Sequence, residues 1–331
     1  MNITNSSSSG AVVDLCINVR LICGLPIWGE LMLVINIVSI IVNILHYATL
    51  QVARKTSEEP HVITAWQKML VQFAITDVAC GLGGLIRACI FRRLVYGKSS
   101  AIGAVINFLS DIGNAVRFYV VALACYDRLI AIRWPFRYSS DILITRVNTI
   151  CTVVWCCSSV FIILRDALFH DVICIHDIIG VTSLFDNRNA AIMSYSFLLP
   201  PALVIIILNV ILLVELHKIR GTTTQPPNIA NKATLYTAIS SCLFIACLSP
   251  GFLGSVLNSV DLTFEDTLNY IGYLLHSIYG ILNTVVYGWM NARYRQAFLA
   301  LVTGNCNKKA RVADENNVAS SLADTIKADK Q

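Results

Sequence analysis

Seven apolar runs, at about 27–51, 63–91, 102–131, 147–165, 190–216, 234–259 and 268–290, dominate the sequence. Each is long enough to cross a hydrocarbon core of ~30 Å as a helix, at about 1.5 Å per residue. Lipid offers no hydrogen bonds to a bare backbone, so an apolar run of this length satisfies its N–H and C=O groups internally, as a helix. The expected fold class is an all-α membrane protein, a seven-transmembrane helix bundle spanning residues 27–290. Composition agrees: 56% of residues are hydrophobic and 14% charged, against about 25% charged in a soluble domain. The third and seventh runs are less apolar than the others, which fits helices surrounded by helices rather than by lipid.

The flanks are short. Residues 1–26 are polar and Ser-rich, without the basic start and apolar core of a cleavable signal peptide. The first span is therefore expected to act as its own signal-anchor. Asn2 and Asn5 are the chain's N-glycosylation acceptors and put the N-terminus outside the cell. Most basic residues between and after the spans fall on the opposite side, although Arg92, Arg93 and Lys98 do not. A multi-pass plasma-membrane protein with an extracellular N-terminus follows. In 291–304, Tyr294, Phe298 and Leu301 recur at helical spacing beside Arg293 and Arg295. This is a short C-terminal amphipathic helix on the membrane surface, with membrane lipid as its partner. Cys306 behind it is a candidate palmitoylation site. Residues 305–331 form a polar cytoplasmic tail with the composition of disorder.

Several function classes find no support. A net charge of +5 is too modest to suggest a nucleic-acid partner. Of the 12 cysteines most lie in apolar runs, where a small buried side chain is the simplest reading. No Cys/His spacing suits a metal, and no phosphate loop, nucleophile elbow or zinc-protease motif occurs, so no catalytic residue, metal or cofactor is expected. A transporter would show repeated halves or interrupted helices, and neither is visible.

The end of the third run reads Tyr126-Asp127-Arg128-Leu-Ile-Ala-Ile-Arg-Trp-Pro-Phe-Arg-Tyr138. This resembles the signature of rhodopsin-like G-protein-coupled receptors, and most closely its odorant-receptor version. Asn43, Asp77, Trp155, Phe244 to Pro250 and Leu282-Asn283-Thr-Val-Val-Tyr287 match further family motifs at the family's spacing. The resemblance therefore reaches all seven spans. It implies a receptor, odorant or chemosensory, that binds a small-molecule ligand in the outer half of the bundle and activates a heterotrimeric G protein. A non-olfactory receptor for a peptide or small metabolite is the alternative within the family.

Departures narrow the resemblance. Ser277 stands where opsins carry the retinal lysine, and Ser110 where amine receptors carry an aspartate. Leu248 replaces the family's sixth-helix tryptophan, and Thr284 its seventh-helix proline. Gly103 replaces the cysteine that ties the third helix to the second outer loop, which leaves Cys174 with three candidate disulfide partners, Cys89, Cys16 and Cys23.

Ionisable groups within spans are costly and mark function. Arg117 precedes Arg128 by 11 positions, about three turns at 3.6 residues each, so both face the bundle interior. Relatives usually place a small polar residue there, beside a sodium ion. Arg117 is expected to replace that ion with a built-in cation paired to Asp77, in a polar core with Asn43 and Asn283. The pair serves either as a switch or as a staple between two helices. Ser110, Asn114 and Arg117 form one inward stripe. Ser110 and Asn114 of this stripe, with Arg87, Asp111 and Ser277, make the candidate ligand pocket. Asp111 lies about 100° round the helix from Ser110 and is expected to face a neighbouring helix, with a rim pair to Arg87 as the alternative. Tyr270, Tyr273 and His276 read as packing or interface aromatics.

Asp127, Arg128 and Tyr287 form the expected G-protein switch, with Asp127 holding Arg128 inward at rest and the sixth helix pivoting at Pro250. Ala230 and Lys232 stand where many relatives carry an acid that latches the same arginine. Some ligand-independent signalling is the expected result.

Overall fold

A computed structural model describes residues 26–55, 65–91, 100–140, 146–168, 188–222, 229–258 and 265–304. Among them run seven long helices: α1 (Pro26–Lys55), α2 (Ala65–Phe91), α3 (Ser100–Arg133), α4 (Val147–Leu168), α5 (Arg188–Thr222), α6 (Ile229–Asn258) and α7 (Glu265–Met290). A short 3₁₀ helix, Pro135–Ser140, follows α3, and α8 (Ala292–Val302) closes the described chain. No strand occurs among the described residues. The described residues of each apolar run lie in one helix, and most helices extend beyond their run at one or both ends. α5 and α6 keep Pro200, Pro201 and Pro250 inside continuous helix.

Five segments are long and apolar enough to cross a membrane: Glu30–Lys55, Ala65–Ile86, Val147–Leu168, Ser196–Lys218 and Ala233–Gly251. α3 and α7 are the two long helices outside that set. Both carry polar side chains through their length, and α3 packs against α2, α4, α5 and α6.

Polarity in the bundle is inverted relative to a water-soluble fold. Val34, Ile41, Ile44, Val160, Ile163 and Ile207 are exposed. Asn36, Asn43, His46, Asp77, Arg117 and Asn283 are buried. In water such an apolar girdle would be an aggregation surface. Facing hydrocarbon it costs nothing, while polar groups find one another inside. The described residues form an all-helical, membrane-embedded bundle.

Small residues let the polar interior close. A side chain on Gly272 of α7 would collide with the backbone of Gly251 on α6, so these helices touch main chain to main chain. One on Gly113 of α3 would meet Cys80 Sγ and the Thr76 carbonyl of α2. At the far end Asn291 caps α8, its side-chain oxygen accepting from the Tyr294 N–H at 3.1 Å. Tyr294, Ala297 and Ala300 turn inward, while Phe298, Leu299 and Val302 stay exposed. This is the amphipathic pattern of a surface helix.

Candidate functional site

Polar groups gather at three levels along the bundle. At the end where α3 finishes, Asp127 and Arg128 are both buried. Arg128 Nε donates to Asp127 Oδ2 at 2.7 Å, and Nη2 of the same guanidinium closes an ion pair on that oxygen. The 3₁₀ turn folds Tyr138 back over this pair. Tyr138 Oη donates to Asp127 Oδ1 at 2.8 Å and accepts from Arg128 Nη2 at 3.2 Å. Burial and the Asp127 carboxylate push the Tyr138 phenol well above its ordinary range, which keeps it a donor. The guanidinium lies over the Trp66 ring of α2, 4.9 Å from its centroid. Trp66 meets Tyr236 of α6 edge-on at 5.5 Å, and Tyr236 meets Tyr287 of α7 at 5.2 Å. Arg128 thus sits at one end of an aromatic chain that reaches α6 and α7.

Tyr287 is also fixed from α8. Asn291 Nδ2 donates to its hydroxyl at 2.9 Å, and its ring meets that of Tyr294 at 5.0 Å. Tyr294 Oη lies 2.8 Å from Nδ1 of His46 on α1. Burial pushes this phenol up to about 12.

Mid-bundle, Asp77 of α2 and Arg117 of α3 form an ion pair with side chains 0% and 1% exposed. The pair is closed to bulk solvent, so each charge depends on the other. Arg117 Nη1 also lies 2.8 Å from His276 Nε2 of α7, and its guanidinium stands 5.3 Å from the Tyr279 ring centroid. One turn beyond Tyr279, Asn283 Oδ1 accepts from Tyr236 Oη at 2.6 Å and Ser240 Oγ at 2.7 Å, which ties α7 to α6. Two bonds tie α7 to α1: Ser277 Oγ donates to Asn36 Oδ1 at 3.1 Å, and Thr284 Oγ1 to Asn43 Oδ1 at 3.3 Å.

Toward the opposite end, Ser110 is buried and Asn114 half-buried, its Oδ1 accepting from Cys80 Sγ at 3.2 Å. Asp111 turns away from this stripe. Its carboxylate takes Arg165 Nη2 of α4 at 2.6 Å. Arg165 also reaches Asp166 at 2.7 Å and Ser194 of α5 at 3.3 Å.

The inward facing of Arg117 and its pairing with Asp77 are as expected, and Asp111 faces a neighbouring helix as its angle required. Arg165 of α4 is a cation found on Asp111; the Arg87 side chain, the other expected partner, lies outside the described ones. His276 is not a packing ring but a hydrogen-bonding contact of Arg117. Asn283 binds α6, while Asn43 binds Thr284. Cys89 is a free thiol among the described residues. Asn2, Asn5, Cys16, Cys23, Cys174 and Cys306 lie outside those residues. Trp66, Tyr236 and Arg165 carried no signal beyond being large polar or aromatic residues within apolar runs. Tyr138 belonged to the quoted motif, but its contact depends on the turn that follows α3.

No protein-family model matches this sequence, and no curated protein matches it significantly.

Proposed function

We propose that the chain is a seven-span, rhodopsin-like G-protein-coupled receptor of the odorant or chemosensory type, set in the plasma membrane with its N-terminus outside. The observation that carries this reading is the closed cluster at the end of α3. Arg128 is buried, neutralised by its own neighbour Asp127, covered by Tyr138 and stacked on Trp66. A buried arginine held mainly by groups of its own helix and turn is stored rather than used structurally. It can be released to a new acceptor without leaving a carboxylate stranded on another helix.

In this reading α3 and α7 are spans shielded by the other five, and the Arg128 end faces the cytoplasm. A small ligand enters among Ser110, Asn114 and Ser277 in the outer half. It favours a state in which α6 moves away from α7 about Pro250. That movement must break the bonds of Tyr236 and Ser240 to Asn283 and disturb the aromatic chain that ends on Arg128. The ligand need only bind that open state better than the closed one. A G-protein α subunit is the acceptor for Arg128.

The test is a cAMP or G-protein reporter in transfected cells. Basal output above mock-transfected cells is expected, because the closed cluster draws its charge balance from α3 alone. Arg128→Ala should abolish that output when it is scored per receptor at the cell surface. Output equal to mock, or unchanged in Arg128→Ala, would overturn the reading.

A further inference from the structure

The chain leaves α3 with its apolar side chains turned outward. Trp134, Pro135 and Phe136 follow the last helical residue, Arg133, and all four are exposed. Phe136 is 98% exposed and Trp134 42%. The backbone fixes this arrangement. The Trp134 N–H donates to the Ile130 carbonyl and the Arg137 N–H to the Trp134 carbonyl, both at 2.9 Å. The Trp134 indole N–H has no acceptor among the described residues. The Arg133 guanidinium stands 5.1 Å from the Trp134 ring centroid, and among the described residues no carboxylate pairs with it. Arg137 is exposed too, but it already has an interaction of its own.

In water two bare rings would be a liability. At a membrane surface the same set is amphipathic. Trp rings settle at headgroup level, and an Arg stem lies along apolar surface while its guanidinium reaches a phosphate. The turn has the place in the chain that this requires. The third apolar run ends near residue 131 and α3 at Arg133, and the headgroup layer that follows the hydrocarbon is about 5–7 Å thick on each side. Charge favours one kind of lipid. Lys55 at the end of α1, Arg146 before α4 and Arg293 on α8 are exposed at this end of the bundle. The described acids here are Asp127, held by Arg128, and Glu215, beside Lys218. A surface of this sign attracts anionic headgroups.

We infer that Arg133, Trp134 and Phe136 form a docking site for anionic phospholipid of the surrounding bilayer, and that the bound lipid steadies the turn that lays Tyr138 over the Arg128 cluster. Phe136 and Trp134 enter the boundary between headgroups and acyl chains. The Arg133 guanidinium donates to an anionic oxygen of the headgroup. Tyr138 is two residues beyond Phe136, and its hydroxyl bonds both Asp127 and Arg128. A turn held at the surface therefore holds that hydroxyl in place, and anionic lipid favours the closed cluster.

The lipid contact rests on the membrane-embedded bundle alone, whereas its effect on signalling rests on the receptor reading. The full chain, with p-benzoylphenylalanine in place of Phe136, is irradiated in nanodiscs of phosphatidylcholine and phosphatidylserine, and adducts are read by mass spectrometry. Phosphatidylserine adducts should exceed that lipid's share of the bilayer about fivefold, and Arg133→Gln should bring them back toward it. No lipid adduct, or adducts that follow the bilayer composition while Arg133 is present, would overturn the inference. So would irradiated cells that yield a protein adduct and none to lipid. A second measurement needs no unnatural residue. Adding phosphatidylserine to phosphatidylcholine nanodiscs should raise the wild-type Tm by about 2–4 °C more than that of the double variant Trp134→Ser, Phe136→Ser. An equal rise in both would also overturn it. In reporter cells the double variant should raise basal output several-fold, because Tyr138 loses its support. No rise, with lipid adducts formed, would leave the lipid site standing and count against the receptor reading.

Discussion

Arg117 and Arg128 lie about three helical turns apart on the same face of α3, and both are buried, yet they are neutralised in different ways. Arg128 is paired with its sequence neighbour Asp127, and a turn and a ring from outside the helix hold it in place. Arg117 is paired across to α2 and touches α7. The first arrangement confines the charge balance to one helix, so the neighbours can move without exposing an ion to lipid. The second binds α2 to α3 through one charge pair and adds a contact from α7, so neither α2 nor α3 can leave without leaving an uncompensated ion behind. One arginine is therefore suited to release and the other to retention, and substitutions should separate the two.

The largest effect should come from Asp77→Ala, which strands Arg117 in the bundle. Breaking a buried pair by removing one partner costs about 3–5 kcal/mol. Surface expression and Tm should both collapse, and Asp77→Arg combined with Arg117→Asp should restore them in part. A single variant as stable as wild type would show that the pair is dispensable.

Tyr138→Phe removes two hydrogen bonds from the Arg128 cluster and leaves the ion pair. The expected cost is ~1 kcal/mol, read as a several-fold rise in basal output with little change in Tm at neutral pH. Because the Tyr138 phenol is raised in the folded protein, its contribution is whole below the free phenol's value of about 10 and is lost as pH rises beyond it. The variant should lose that alkaline dependence.

Tyr236→Phe removes one of the two donors to Asn283 and should raise basal output by less. Ser240 keeps the other bond, and the ring contacts with Trp66 and Tyr287 survive. The smallest effect belongs to Thr284→Val, which takes one bond from Asn43 at ~0.5–1 kcal/mol. Tm should fall slightly and output should hold. A large change in output would mean that α7 takes part in release as well as retention.

What the sequence disclosed follows a physical division. Helix existence and inward facing depend on local periodicity. The seven helices, the shared face of Arg117 and Arg128 and the sideways turn of Asp111 were accordingly legible. Which residue waits across the gap depends on how helices are rotated and shifted against one another, and no local pattern encodes that. Arg165 on Asp111 and His276 on Arg117 belong to this second class, as does Trp66 under Arg128. Tyr138 falls between the two: its position was visible within the motif, but its contact required the 3₁₀ turn after Arg133.

The bonds from Ser277 to Asn36 and from Thr284 to Asn43 are spaced seven residues apart on both helices. They form matching rungs between two helices, one at each end of the bundle in chain order. α1 emerges from the ribosome long before α7 exists. Until then Asn36 and Asn43 have only their own helix, bonding the carbonyls of Met32 and Ser39. Synthesis therefore leaves two amide oxygens on the first helix whose hydroxyl donors arrive only with the last. A chain halted before α7 would lack those two donors, so the last helix completes the hydrogen bonding of the first.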